Sequence, residues 1–220
     1  MERAGGKALY VRADLCDAPS LDRALELGRA ELGPIEGVIH SAMLLQDGLL
    51  ASMVESEFAE PLGPKMSGLE NLREALRNDP LAFALLYSSV QSLLGNAAQG
   101  SYACASAFAD SYAEVWRKEA SYPVKTINWS YWGSVGAVAV EEYRRRMHAV
   151  GVESIEPDDA FPIVRRLLAS SSIDQLWAIK ASDRFLRLLG LDPETRKKPA
   201  AVDRTPSLLG RSLALLKEGR

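Results

Sequence analysis

Cysteine and histidine are almost missing from this chain, with two of each among 220 residues. Cys16 and Cys104 make neither a disulfide framework nor a metal-ligand spacing, which fits a reducing compartment. His40 and His148 form no ligand cluster, so no metal is expected. Long apolar runs are absent as well. No stretch approaches the roughly 20 apolar residues that a spanning helix needs, and the first residues lack the apolar centre of a secretory signal. A cytoplasmic product with no membrane partner is the simplest expectation. An excess of positive charge is also absent. Lys and Arg number 26 against 29 Asp and Glu, and this net charge of −3 does not point to a nucleic-acid partner. Finally, Gly-x-Gly-x-x-Gly occurs nowhere. Gly5-Gly6 follows no strand signal and opens no helix, so the usual cradle for a dinucleotide pyrophosphate is not encoded in these residues.

What is present alternates. The chain is 47% hydrophobic, enough for a substantial core in one domain. Strand signals fall at residues 8–14, 35–42, 81–88, 124–129 and 175–180. Helical spacing covers residues 20–32, where Ser20 offers an N-cap and Gly33-Pro34 a stop. A long helical region then runs to about residue 78, bent or broken near Pro61 and Pro64. Further helices are expected over residues 101–120, 141–150 and 158–169. The third strand is apolar on both faces, as in a buried parallel sheet. This order predicts an α/β fold, a doubly wound parallel sheet with right-handed crossovers, over residues 1–190. Residues 191–220 are rich in Pro, Lys and Arg and read as a linker. Their amphipathic stretch at 208–216 leaves a docking helix as the alternative.

The chemistry concentrates after the third strand. Ser89 stands where that strand ends, and Tyr102 follows thirteen positions later, on the first turn of the next helix. A serine hydroxyl and a phenol so placed polarise one carbonyl oxygen, the serine holding it by a hydrogen bond and the tyrosine supplying a proton. Ser88 is the weaker candidate, because the spacing selects Ser89. Singly, these residues are ordinary caps or packed rings; the joint pattern of apolar strand, Ser-Ser, Gly95-Asn-Ala-Ala-Gln-Gly100 and the tyrosine is far more specific.

That stretch resembles the active-site segment of short-chain dehydrogenases/reductases and, more narrowly, the ketoreductase domains of modular polyketide synthases. The resemblance implies a Rossmann-like fold and NADPH as cofactor. It also explains why Ser106, and not a lysine, stands one helical turn after the tyrosine. In these ketoreductases the lysine that lowers the tyrosine pKa and binds ribose comes from an earlier helix, and Pro64-Lys65-Met-Ser-Gly68 matches that segment. The family usually has asparagine at the position of Ser106, the fourth catalytic member. His40-Ser41-Ala42 resembles the family's His-x-Ala-Gly segment, which lies against the cofactor, with Met43 replacing the glycine. Asp14, with Leu15 beside it, matches the acidic position that contacts adenine. Leu45-Gln46-Asp47 resembles the Leu-Asp-Asp fingerprint of ketoreductases that form D-configured hydroxyls. The opposite class carries tryptophan eight residues before the tyrosine, where this chain has Leu94. Asp47 reads equally well as a turn residue before Gly48. Ile127-Asn-Trp-Ser-Tyr-Trp-Gly133 matches the segment beside the nicotinamide, and its Trp-Gly-Ser-Val-Gly run is most like ketoreductases of trans-acyltransferase synthases. Trp129, Tyr131 and Trp132 serve equally well as core or lid aromatics.

By this resemblance residues 8–14 form the third strand of the usual fold, and the first two strands and the phosphate loop belong to an upstream reductase half. The leading expectation is thus the C-terminal portion of a ketoreductase. It would reduce the β-keto group of an intermediate tethered to a phosphopantetheinyl acyl carrier protein, alongside other synthase domains. A non-catalytic, reductase-like scaffold is the alternative, favoured by Ser106, Met43 and the missing loop. A stand-alone reductase or epimerase is the third reading.

Overall fold

The computed structural model describes residues 5–136 and 138–191, and the backbone of Leu213–Leu215. It divides into two compact units, Met1–Thr126 and Ile127–Arg220. The first unit opens with an irregular segment over residues 8–14 and not with the expected strand. A strand exists only where a neighbouring backbone completes its ladder. Residues 8–14 have no such neighbour among the described residues, and Tyr10 stays 88% exposed. The segment ends in a turn in which Asp14 Oδ1 accepts from the Cys16 amide at 2.8 Å.

Helix α1 (Ala18–Leu32) follows. Its N-cap is Asp17 and not Ser20, because Pro19 is tolerated within the first turn and the helix starts earlier than the apolar spacing suggests. Ser20 Oγ instead accepts from the Asp14 amide at 3.2 Å and fixes the preceding turn. Strand β1 (Gly37–His40) is shorter than the expected 35–42, and residues 43–54 run irregularly where helix is expected. Helix α2 (Glu55–Ala59), a 3-10 helix (Glu60–Lys65) and α3 (Ser67–Ala75) then show the interruption that Pro61 and Pro64 demand. Arg29 clamps α1 to the end of α3, donating to both Asp79 oxygens at 3.0 and 2.6 Å and to the Ala75 carbonyl at 2.9 Å. Beneath this clamp Leu21, Leu72, Leu76 and Leu81 form one apolar cluster.

Strand β2 (Phe83–Ser89) pairs in parallel with β1, Gly37 opposite Phe83 and His40 opposite Leu86. A short helix α4 (Gln91–Leu94) leads to the long helix α5 (Gly100–Glu119). On α5 the buried residues Ser101, Ala105, Ala109, Ala113 and Trp116 recur every three or four positions and make one buried face. Ala109, Ala113 and Trp116 pack there with Ala84, Leu86 and Val124. Strand β3 (Val124–Trp129) is buried throughout and crosses from the first unit into the second. In the first unit the strands run β1-β2-β3.

The second unit continues with α6 (Glu141–Ala149), α7 (Pro157–Ala169), β4 (Gln175–Ile179) and α8 (Asp183–Leu188). Its strand order is β3-β4-β5, where β5 (Leu213–Leu215) runs parallel to β4. Buried Gln175 donates to Asn128 Oδ1 at 2.9 Å and ties β4 to β3. Apart from Leu213–Leu215, the segment 192–220, expected as a linker or docking tail, lies outside the described residues. The architecture is thus an α/β fold on a parallel sheet.

Candidate active site

Strand β2 delivers Ser89 to the carboxyl end of the sheet of the first unit, where open α/β folds bind ligands. Its hydroxyl accepts from the Gln91 amide at 3.2 Å, so the same oxygen shapes the turn into α4. Tyr102 is the third residue of α5, and its phenol faces the Ser89 and Ser106 hydroxyls. Burial pushes the Tyr102 pKa up, the two serines oppose this, and the Asp47 carboxylate adds to it. The result is a neutral phenol, a proton donor held beside two hydroxyls. Ser106 is fully buried, and its hydroxyl forms no well-aligned hydrogen bond. Its carbonyl accepts from Ser88 Oγ at 3.3 Å, which gives Ser88 a tie between strand and helix.

Lys65, the last residue of the 3-10 helix, is only 2% exposed and donates from Nζ to the Tyr87 carbonyl at 2.8 Å. Burial pushes its ammonium down to about 8, while the Asp110 carboxylate favours the charge. The structure brings Ser89, Tyr102 and Ser106 together at the end of β2 and engages Lys65 with the β2 backbone.

His40 ends β1, buried, with Nε2 3.0 Å from the Pro64 carbonyl. A carbonyl only accepts, so Nε2 carries the proton; Nδ1 is buried with no partner. Burial and then the Lys65 charge hold the imidazole neutral, down to about 4. His40 thereby fixes the turn that presents Lys65. Asp47 accepts from Gln99 Nε2 at 3.0 Å, and Gln99 Oε1 from Asn96 Nδ2 at 3.1 Å. The Gly48 amide donates to the carbonyl of Ala98, a residue at φ 65°, over 2.8 Å. These bonds lay the segment bearing Leu45, Gln46 and Asp47 along the loop before Tyr102. Leu94 closes α4 and is exposed, as are Ser41 and Met43.

Asp14 and Leu15 stand at a separate cleft with Arg12, Ser20, Ala42 and Pro64. A carboxylate, a cation and short apolar walls suit a purine nucleoside, so the residues present fit the adenosine end of a dinucleotide. In the second unit Trp129 and Trp132 meet edge to face at 5.0 Å. Tyr131 is buried, and its carbonyl accepts from Ile155 at 2.8 Å, a core position for this ring.

Sequence reasoning missed four contributors: Asp110, Ser92, Gln99 and the carbonyl of Tyr87. Only Asp110 left a signal, recurring on the Tyr102–Ser106 face one further helical turn along. The others act through backbone or through partners remote in sequence.

Residues 1–134 match the KR domain family. The chain belongs to that family, the ketoreductase domains of polyketide synthases. ThaG of Burkholderia thailandensis, a polyketide synthase, is 39% identical over 168 residues, which is 76% of this chain and 3% of ThaG. Polyketide synthase PksN of Bacillus subtilis is 35% identical over 181 residues, 82% of this chain and 3% of PksN. Among solved structures, a ketoreductase domain from the bacillaene assembly line superposes with a TM-score of 0.72 at 30% identity, covering 79% of this chain and 43% of its own. An alcohol dehydrogenase of Thermococcus sibiricus, complexed with 5-hydroxy-NADP, shares the fold at 18% identity and TM-score 0.69 over 81% of this chain and 77% of its own. The KR chain spans under half of that bacillaene domain and a small fraction of the curated synthases. No helix among the described residues is long and apolar enough to cross a membrane.

Proposed function

We propose that this KR chain takes part in NADPH-dependent reduction of the β-keto group of a polyketide intermediate carried on a phosphopantetheinyl acyl carrier protein. The observation that carries the reading is the convergence of the Tyr102 phenol with the Ser89 and Ser106 hydroxyls at the end of β2. The substrate carbonyl oxygen accepts a hydrogen bond from Ser89 and a proton from Tyr102, whose burial keeps that proton in place until the oxygen becomes basic. Ser106 fills the place where the family has asparagine and turns a short hydroxyl toward the phenol. Lys65 supplies positive charge to the ribose side of the site. NADPH supplies the hydride, with Asp14 and Leu15 at its adenosine and His40, Ser41 and Ala42 along the ribose and nicotinamide. Leu45, Gln46 and Asp47, with no tryptophan at Leu94, favour a D-configured hydroxyl. The other domains of the synthase are the natural partners, and the cytoplasm is the compartment.

The test is reduction of a β-ketoacyl thioester by a ketoreductase completed with its phosphate-binding half. Tyr102→Phe is expected to lower kcat by at least about 100-fold, the scale of a lost general acid, and chiral chromatography of the wild-type product to show the D alcohol. Retention of most of the rate by Tyr102→Phe removes the tyrosine from the mechanism. A second reading, a scaffold without catalysis, draws on the exposed Met43 side chain where the family has glycine. Failure of the completed domain to quench or shift NADPH fluorescence would decide for it.

A further inference from the structure

Helix α4 is held by something other than its own burial. Its four residues are too few for a helix to persist alone in water, none of them is buried, and Leu93 is 58% exposed. A side-chain bond reaches from it to α5, where Ser92 Oγ donates to Asp110 Oδ2 at 2.7 Å. The acceptor is a carboxylate only 6% exposed. Burying an anion is costly unless donors meet it, and an O–H group held to a carboxylate is among the stronger hydrogen bonds. On α5, Tyr102, Ser106 and Asp110 follow one another at four-residue steps and share a face. Helix α4 is therefore moored to the helix face that carries the proton donor.

At its other end α4 meets the catalytic serine. Its first residue is Gln91, whose amide donates to Ser89 Oγ at 3.2 Å. That bond occupies one lone pair of the serine oxygen, so the hydroxyl proton points away from the amide. The Gln91 amide thus sets the rotation of a hydroxyl that also faces the Tyr102 phenol.

We infer that Ser92 and Asp110 are a positioning pair, fixing α4 so that the Gln91 amide aims the Ser89 hydroxyl at the substrate carbonyl. The inference rests on Ser89 holding that carbonyl within the reductase site. Neither side chain of the pair needs to meet the substrate. Ser89 and Ser92 lie within a single turn of backbone, so a shift of Ser92 carries the Gln91 N–H with it. A misaimed hydroxyl harms the transition state, where the carbonyl oxygen is most basic, more than it harms the bound ketone. Loss of the pair should therefore lower kcat and leave KM nearly unchanged.

Hydrogen exchange of the Gln91 amide, followed by NMR in the full 220-residue chain, reads the tie without catalysis. Ser92→Ala is expected to speed this exchange about 10-fold, the scale of one lost bond to a charged group. Ser92→Thr, which keeps a hydroxyl, should return it close to the wild-type rate, and the Ala113 amide inside α5 should not respond. In a ketoreductase completed with its phosphate-binding half, Ser92→Ala should lower kcat for a β-ketoacyl thioester by about 10-fold. In a Ser89→Ala background, with no hydroxyl to aim, the same substitution should cost little more. Asp110→Ala should match Ser92→Ala in both measurements; should it not fold, the Ser92 variants carry the test. Wild-type exchange at Gln91 in Ser92→Ala, equal acceleration at Ala113, or the same loss of kcat with and without Ser89 overturns the inference. Absence of reduction by the wild-type enzyme would instead overturn the ketoreductase reading, and exchange at Gln91 would still show whether the pair holds α4.

Discussion

At the scale of single residues, His40 shows how a side chain read as a cofactor contact also holds the fold. Its Nε2–H secures the Pro64 carbonyl and so presents Lys65, and burial keeps the ring neutral with a pKa lowered from 6.5 to about 4. The folded state therefore binds the imidazole proton less readily than the unfolded chain. The stabilising contribution is complete above pH 6.5 and is lost as pH falls toward about 4. Linkage puts its full size at about 3 kcal/mol. Urea denaturation of wild type and His40→Gln across this range should show the difference. The glutamine keeps an N–H for Pro64 but does not titrate, so its stability should fall less steeply with acid. Equal slopes in the two proteins would mean that His40 does not titrate on unfolding. Ser89 and Tyr102 were legible in the sequence because strand end, spacing and helix start all lie within one short segment. Gln99 was not, because it acquires its meaning from Asp47, a partner far along the chain.

At the scale of elements, α5 is the part on which the site depends most. It carries Tyr102, Ser106 and Asp110 on one face, and Ala105, Ala109 and Ala113 let its backbone approach the sheet closely. A leucine at Ala109 would have to force α5 away from Ala84 and Leu86. Overpacking of this kind costs about 1–3 kcal/mol, which should appear as a lower denaturation midpoint for Ala109→Leu. Reduction should fall with it, since the same displacement moves the phenol away from Ser89. A variant as stable as wild type would show that this interface has spare room. Strands β2, β3 and β4 were readable almost to the residue, since each is a short run rich in β-branched, aromatic or apolar residues between turn signals. The segment 8–14 carries the same local pattern yet forms no strand, because pairing depends on a neighbouring backbone and not on the segment alone. Helices α4 and α8 escaped notice for a different reason: they are too short to display a helical period.

For the whole molecule, the unresolved demand is on β1. It is the first strand in the sheet order and, among the described residues, pairs with β2 alone, and Ile39 is 50% exposed. Parallel sheets are stable when both faces are covered and their edges protected, so such a strand is a template for another strand. The exposed Leu9 and Tyr10 add apolar surface to the same unit. A strand–Gly-rich turn–helix–strand segment from a ketoreductase relative would supply both a ladder for β1 and backbone amides for a pyrophosphate. Joined ahead of this chain, it is expected to raise the melting temperature by several degrees and to suppress self-association. Fluorescence titration should detect NADPH binding in the joined protein and little in the chain alone. The opposite pattern, in which the chain by itself is monomeric, melts cooperatively and binds NADPH tightly, would show that the edge of β1 is already satisfied and that the cleft at Asp14 holds the dinucleotide without added phosphate contacts.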